Sequence, residues 1–408
     1  MIRNWFKNIG PGPLVAAAFI GPGTVTLCTV AGVNFGYALL WAMVLSIVAT
    51  IVLQEMSARL GIISQKGPAE IIRTEIKSPL IKGFSILLIL SAIVIGNAAY
   101  EAGNISGGVL GLEAVLGHHS VDIGSFSLNY FSVAIGLVAF ILLYIGNYKI
   151  LEKALVSLVI LMSIAFIVTA IMTKPNLTEV FKGVFVPKFP DHSILIVIGL
   201  IGTTVVPYNL FLHASLVKEK WKSNTDLKHA RKDTIVAVVL GGVVSMCIII
   251  SAAAIQSSEI SNAADLAKGL EPLFGSFSKY FLAIGLFAAG ITSAITAPLA
   301  AAFVATGCLG LSTNMRSKKF RGVWMFILVV GVLSSSSGIK SIEIIKFAQV
   351  ANGILLPVIA GFLIWIMNKH SVLGDYKNTM RQNVISVVIL AITIFLGAKS
   401  ILKVFELL

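Results

Sequence analysis

Long uncharged apolar runs recur along the whole chain, and short loops between them collect the charged residues. Each run is long enough to cross a hydrocarbon core of ~30 Å as a helix. The pattern predicts eleven spans, at about 12–34, 38–60, 84–110, 127–146, 152–173, 193–216, 234–256, 277–308, 321–337, 343–367 and 383–404. The expected fold class is an all-α polytopic membrane protein. No long polar insertion separates the runs, so residues 1–408 read as a single integral membrane domain without a soluble partner domain. The opening stretch MIRNWFKNIGPG enters the first span without a small-residue cleavage site, so a removable signal peptide is not expected.

Two spans are interrupted. Gly21-Pro22-Gly23-Thr24 sits inside the first, and Gly202 and Pro207 punctuate the sixth within GTTVVPYN at 202–209. Glycine and proline are poor helix formers. Five spans separate the two interruptions, and an odd offset sets the two halves in opposite orientation. That is the mark of an inverted repeat in a secondary transporter, with interrupted segments at corresponding places pointing to the substrate site. The first repeat would cover about 12–173, the second about 193–367, with an extra helix at about 383–404.

An unwound segment at membrane depth exposes backbone groups that need partners. The C-terminal end of a half-helix offers carbonyls, which suit cations; the N-terminal end offers N–H groups, which suit a carboxylate. Thr24, Thr26, Thr203, Thr204, Tyr208 and Asn209 add neutral donors and acceptors, and no acidic residue lies within either interruption. Glu101, in NAAYEAGNISGG, is the one carboxylate placed well inside a span. A charge there is costly and reads as a proton relay or counter-charge, or else as a residue at the outer interface. His213, six residues past Pro207, could carry protons or serve as a buried structural histidine. Gln349 and Asn352 stand about one helical turn apart and either line a cavity or bond neighbouring helices. Gly103, Gly107 and Gly111 form a small-residue face for close helix approach.

The chain is 57% hydrophobic and 12% charged, with a net charge of +13. That surplus is not spread evenly. With alternate loops on alternate sides, twenty-two of the 31 Lys and Arg residues fall on one side. The positive-inside rule then puts the N-terminus in the cytoplasm and the C-terminus outside, in a multi-pass plasma-membrane protein. The cluster KEKWKSNTDLKHARK reads as a topology signal, and nucleic acid is not an expected partner. Cys28, Cys247 and Cys308 lie in apolar runs, form no close-spaced pair and imply neither a disulfide framework nor a zinc site. Enzyme readings fail: Gly21-x-Gly23 lacks a third glycine and a preceding strand, there is no phosphate-binding loop, and His118-His119 has no further ligand-type spacing.

The chain resembles the NRAMP family of proton-coupled divalent metal transporters over nearly its whole length. GPGTVTLCTVAGVNFGYALLW looks like the family's DPGN stretch followed by AG-x-x-FGY-x-LLW, and LQEMSARLGI at 53–62 is similar to Q-x-x-SARLG. VPYNLFLHAS at 206–215 resembles MPHNLYLHS, and QVANGILLP at 349–357 resembles the family's Gln-to-Leu-Pro segment. The resemblance implies a 5+5 inverted repeat of the amino-acid-transporter type with broken first and sixth helices, alternating access, and proton-coupled import of a metal ion.

The departures gather at the metal positions. Where DPGN supplies Asp and Asn, this chain has Gly21 and Thr24; where the sixth helix supplies an Ala carbonyl and a Met sulfur, it has Thr203 and Val206. The His after the sixth-helix Pro is Tyr208, the second Asp of the first helix is Cys28, and the third-helix Asp–Glu pair is Ala98 and Glu101; His213 and Gln349 match. Dehydrating a divalent ion without a carboxylate is unfavourable. If a metal moves, Thr24, Gln349 and carbonyls near Gly21 and Thr203 would hold it. If a small organic acid, amino acid or amino-acid-like lactam moves, the N–H groups of Gly23 and Thr24 would hold its carboxylate, assisted by Tyr208 and Asn209. A membrane receptor that keeps the fold without transport is a third reading. Glu101 and His213 are the proton-pathway candidates. No cofactor or obligatory protein partner is implied; the coupling ion is the proton, with sodium as the alternative.

Overall fold

In the computed structural model, residues 20–123, 126–146, 149–255 and 260–404 are described. The order is α1 (Pro22–Phe35), α2 (Leu40–Ser64), α3 (Pro68–Glu75), α4 (Pro79–Leu116), a hairpin of β1 (Ser120–Ile123) and β2 (Phe126–Asn129), α5 (Tyr130–Ile145), α6 (Lys149–Met172) and α7 (Leu177–Phe185). Then follow α8 (Ile194–Thr204), α9 (Pro207–Lys220), α10 (Leu227–Ala252), α11 (Ser278–Leu309), α12 (Lys318–Ser335), α13 (Ser341–Met367) and α14 (Met380–Val404), with single turns in the links.

Eight helical stretches among the described residues are long and apolar enough to cross a bilayer. Of the other predicted spans, the fourth appears as the 16-residue α5, the ninth as the 18-residue α12, and the first as α1. Residues 12–19, the opening part of the predicted first span, lie outside the described residues. The predicted span at 84–110 is too short: α4 has 38 residues, about 57 Å at 1.5 Å per residue. The sixth span is two helices, and its second half runs on to Lys220. The seventh begins at Leu227, earlier than the sequence pattern suggests. In α9 and α10 charged residues continue the helix beyond the apolar run, where hydropathy gives no signal, whereas α4 extends at both ends through mostly apolar residues.

The long helix α4 is the spine, packed against α11, α12 and α13. Its glycine face does what small residues do: Gly103 meets Ala348 of α13, Gly107 meets the Pro22 ring of α1, and Gly111 meets the α11 backbone at Ala283. Large apolar side chains elsewhere stay exposed, including Leu80, Phe84, Leu87, Leu137, Ile141, Val387 and Phe395. A water-soluble surface rarely carries so much contiguous apolar area, whereas acyl chains match it. Inside, Arg59 and Glu101 are the buried charged side chains among the described residues.

The basic loops do share a side. Arg59 of α2 bonds the Tyr376 carbonyl and Asn378 in the link before α14, and Arg231 of α10 reaches Glu55 of α2. One cavity is lined jointly by Arg73, Gly146, Lys218 and Arg316, bringing the loops after the second, fourth, sixth and eighth spans together. At the opposite end, Trp41 Nε1 donates to the Lys188 carbonyl at 3.0 Å and Gly183 packs against Tyr37.

Candidate functional site

The break in the sixth span follows from Pro207. It has no N–H to donate to the Thr203 carbonyl, and its ring excludes that carbonyl from a helical position. Val205 and Val206 accordingly leave the helical region, with φ/ψ of −94°/70° and −74°/120°. The Thr203 carbonyl is thus left without its helical donor, at the C-terminal, negative end of α8. Pro207 then opens α9 at its first position, with Val206 as the N-cap.

α1 begins the same way. Gly21 is the N-cap in extended conformation, its carbonyl accepts from Val25 N at 3.2 Å, and Pro22 occupies the first turn. Neither α1 nor α9 has a side-chain cap or an acidic residue in its first turn. Two buried, proline-initiated N-termini therefore present the positive ends of their dipoles to the core of the protein.

The structure brings four candidate residues together. The hydroxyls of Thr24 and Thr203 hydrogen-bond at 2.8 Å, across 179 positions of sequence. Gln349 of α13 lies against both the N-terminal turn of α1 and the last turn of α8 before the break. A Cβ on Gly23 would overlap its carboxamide, and a Cβ on Gly202 would overlap its backbone carbonyl. Its Oε1 is buried with no protein partner among the described residues. The three side chains are essentially inaccessible, with exposures of 2%, 0% and 1% for Thr24, Thr203 and Gln349. Gly21 and Val206 border them as the two N-caps.

Tyr208 and Asn209 occupy the first turn of α9 and are buried. Tyr208 turns to α4, meeting Tyr100 edge to face at 5.4 Å, and lies within electrostatic range of Glu101. The Asn209 carboxamide nitrogen is buried without a partner among the described residues. Asn352, the polar neighbour of Gln349, is also buried, with its nitrogen unpartnered.

Glu101 is fully buried, so the interface alternative is set aside. Asn104 donates to its Oε2 at 3.4 Å, while Oε1 has no partner among the described residues. Gly331 of α12 lies against its Cγ and leaves room for it. His213 faces α10, where its Nε2 bonds the Thr234 hydroxyl at 3.1 Å and its Nδ1 has no partner among the described residues. Glu101 and His213 thus sit on different helix pairs, with Glu101 in electrostatic range of the first turn of α9. Tyr100 was not singled out by sequence; its one signal was adjacency to Glu101.

Among the described residues no group of three or more His, Cys, Asp or Glu is placed to hold a metal ion. The cluster offers hydroxyls, a carboxamide, carbonyls and helix N-termini, and so can hold a small polar solute by hydrogen bonds. The Thr24–Thr203 bond should itself be measurable. A double-mutant cycle with Thr24→Val and Thr203→Val is expected to give a coupling of ~1 kcal/mol in unfolding. Strict additivity would mean the two hydroxyls do not interact.

Comparison with known proteins agrees with this architecture. The chain is 26% identical over 406 residues to the divalent metal cation transporter MntH of Verminephrobacter eiseniae (strain EF01-2), covering 97% of this chain and 89% of the relative. The fold matches the Eremococcus coleocola manganese transporter, solved with an aromatic bis-isothiourea compound, at a TM-score of 0.75 and 22% identity over 98% of this chain and 87% of that one. MhsT in complex with L-phenylalanine matches at a TM-score of 0.56 and 15% identity, over 96% and 98% of the two chains. These neighbours place the chain among all-α polytopic membrane proteins with the inverted-repeat fold of the amino-acid transporters. A family sequence profile described as "Natural resistance-associated macrophage protein-like" matches residues 12–403, so the chain belongs to the Nramp family.

Proposed function

We propose that this Nramp protein is a secondary active transporter working by alternating access at the α1 and α8–α9 breaks. It is coupled to protons, and its site takes a small carboxylate-bearing solute such as an amino acid or an amino-acid-like lactam. The observation that carries this reading is the buried, carboxylate-free cluster of Gly23, Thr24, Thr203 and Gln349.

A divalent ion stripped of water there would meet neither an anionic oxygen nor a soft sulfur, and uncompensated charge in an apolar medium is very costly. A carboxylate fits better. The N-terminal turn of α1 at Gly23 and Thr24 receives it, Gly21 as N-cap brings no acidic side chain to repel it, and Tyr208 and Asn209 contribute from the matching turn of α9. The Thr203 carbonyl and Gln349 Oε1 then accept from an N–H group of the same solute. Glu101, beside Tyr208, carries the coupled proton, with His213 further along α9. Glu101→Gln is expected to retain exchange of solute across the membrane but to lose accumulation driven by a proton gradient. Accumulation equal to that of the native chain would remove Glu101 from the coupling path.

The positive-inside distribution supports a plasma-membrane orientation with the basic loops and N-terminus in the cytoplasm. The single-domain organisation over 1–408, with repeats at about 12–173 and 193–367, belongs to the same proposal.

A second reading is import of a divalent metal ion, favoured by the names of relatives such as MntH and the Eremococcus coleocola manganese transporter. Thr24, Gln349 and carbonyls near Gly21 and Thr203 would then hold a partly hydrated ion. The triple variant Gly21→Asp, Thr24→Asn, Val206→Met separates the two readings. The proposal expects Mn2+ influx into liposomes from the triple variant and none above background from the native chain. Robust native Mn2+ influx that survives Thr24→Ala would overturn both the carboxylate reading and these site residues.

A further inference from the structure

A cavity of about 940 Å3 lies away from the break, on the side of the basic loops. Its wall is built by α3, the ends of α5 and α11, the second turn of α9 onward, and the start of α12. Four cationic side chains, Arg73, Lys218, Arg316 and Arg321, line it against two carboxylates, Glu70 and Glu219. None of the four cations takes part in an ion pair among the described residues.

Two of them are held in place without being neutralised. Arg321 stacks on the Tyr144 ring, with its guanidinium carbon 4.1 Å from the ring centroid, and its Nη2 donates to the Tyr144 carbonyl at 3.4 Å. Arg73 lies across Gly310, which ends α11 with φ +67°; a Cβ there would come within 2.8 Å of Arg73 Nη1. The Nε of each arginine is buried and has no hydrogen-bond partner among the described residues. Like charges gathered in a concave, low-dielectric wall reinforce one another's potential and attract an anion. A guanidinium fork matches the paired oxygens of a carboxylate or a phosphate.

We propose that this cavity is a second binding site, specific for a polyvalent oxyanion, with Arg73 and Arg321 as its forks and Lys218 and Arg316 as supporting charges. The ligand chemistry is that of a phosphate or polycarboxylate group, presented either by a free cytosolic anion or by the headgroup of an anionic lipid. The site does not depend on which solute crosses at the break, because it shares no residue with the Gly23–Thr24–Thr203–Gln349 cluster.

The test uses the purified full chain in phosphatidylcholine nanodiscs, titrated with inorganic phosphate and with citrate at constant ionic strength against chloride. Thermal unfolding reads binding of the free anion. Native mass spectrometry of discs containing phosphatidylglycerol reads retained lipid. A saturable rise in the unfolding midpoint, weakened about tenfold or more in Arg73→Gln and Arg321→Gln, identifies a free anion as the ligand. Lipid adducts on the native chain that those variants lose identify the headgroup instead. Arg316→Gln, at an exposed position that leaves the packing intact, is expected to weaken the same signal a few-fold. Equal responses of the native chain and all three variants, in both measurements, overturn the proposal.

Discussion

Gly23→Ala is expected to lower solute uptake by about tenfold or more while leaving the thermal unfolding midpoint unchanged or slightly raised. The new methyl group falls on the carboxamide of Gln349, the far end of a flexible side chain. That end can swing away, so the fold survives, and alanine adds up to ~1 kcal/mol of helix propensity to α1. What is lost is the placement of a buried hydrogen-bonding group at the cluster, and one such group contributes ~1–3 kcal/mol. Gly202→Ala makes the contrast. There the methyl meets the Gln349 carbonyl and the Gly353 nitrogen, which are backbone and cannot rotate aside. α8 and α13 must separate, and overpacking of this kind costs ~1–3 kcal/mol. Uptake and unfolding measured on both variants check the pair of outcomes. Native uptake by Gly23→Ala would show that Gln349 has no part in the site.

Arg59→Met is expected to be the most destabilising single change, by ~3–5 kcal/mol. Arg59 is 2% exposed, yet it meets Glu55 Oε2 at 3.1 Å, the Tyr376 carbonyl at 2.9 Å and Asn378 Oδ1 at 2.7 Å. Methionine fills the volume but leaves Asn378 Oδ1 buried without a donor and removes the donor to the partly buried Tyr376 carbonyl. It also leaves Glu55, at 15% exposure, dependent on Arg231 alone. Removing Arg231 instead, as Arg231→Gln, should cost ~1 kcal/mol or less, because that side chain is 42% exposed and water screens the pair. Denaturation of the two variants side by side measures the difference, and comparable losses would show that burial of Arg59 does not set the size of the effect.

Much of this was legible in the chain itself. Apolar runs locate the membrane helices because hydrocarbon tolerates little else, and Pro207 marks the break because it cannot continue the helix. Gly202 instead stays helical in α8 and serves close approach to α13. The Gly103–Gly107–Gly111 face is similarly readable, since only small residues permit the contacts it makes with α13, α1 and α11. Residue pairs distant in sequence were not legible. Nothing local in either stretch specifies that Thr24 meets Thr203, or that Gly23 and Gly202 both close on Gln349. The short helices α3 and α7 fell between spans, where hydropathy carries no information. Strand β2 overlaps the start of the predicted span at 127–146, where an apolar run alone does not tell strand from helix. Glu101 was ambiguous because α4 extends past its predicted span; depth in the membrane depends on α11, α12 and α13 packed around it. Arg59 was visible only as part of LQEMSARLGI, and its partners at Tyr376 and Asn378 lie more than three hundred residues away.

The central claim is that the break of this Nramp protein holds a carboxylate where its chemistry offers none to a metal. The most direct measurement is transport by the purified chain in liposomes under an inward proton gradient. Mn2+ influx would be compared with uptake of radiolabelled amino acids and a lactam amino acid. The account predicts saturable, gradient-driven uptake of at least one carboxylate, lost in Gly23→Ala, with Mn2+ influx at the level of empty vesicles. Gradient-driven Mn2+ influx with no carboxylate uptake would contradict it.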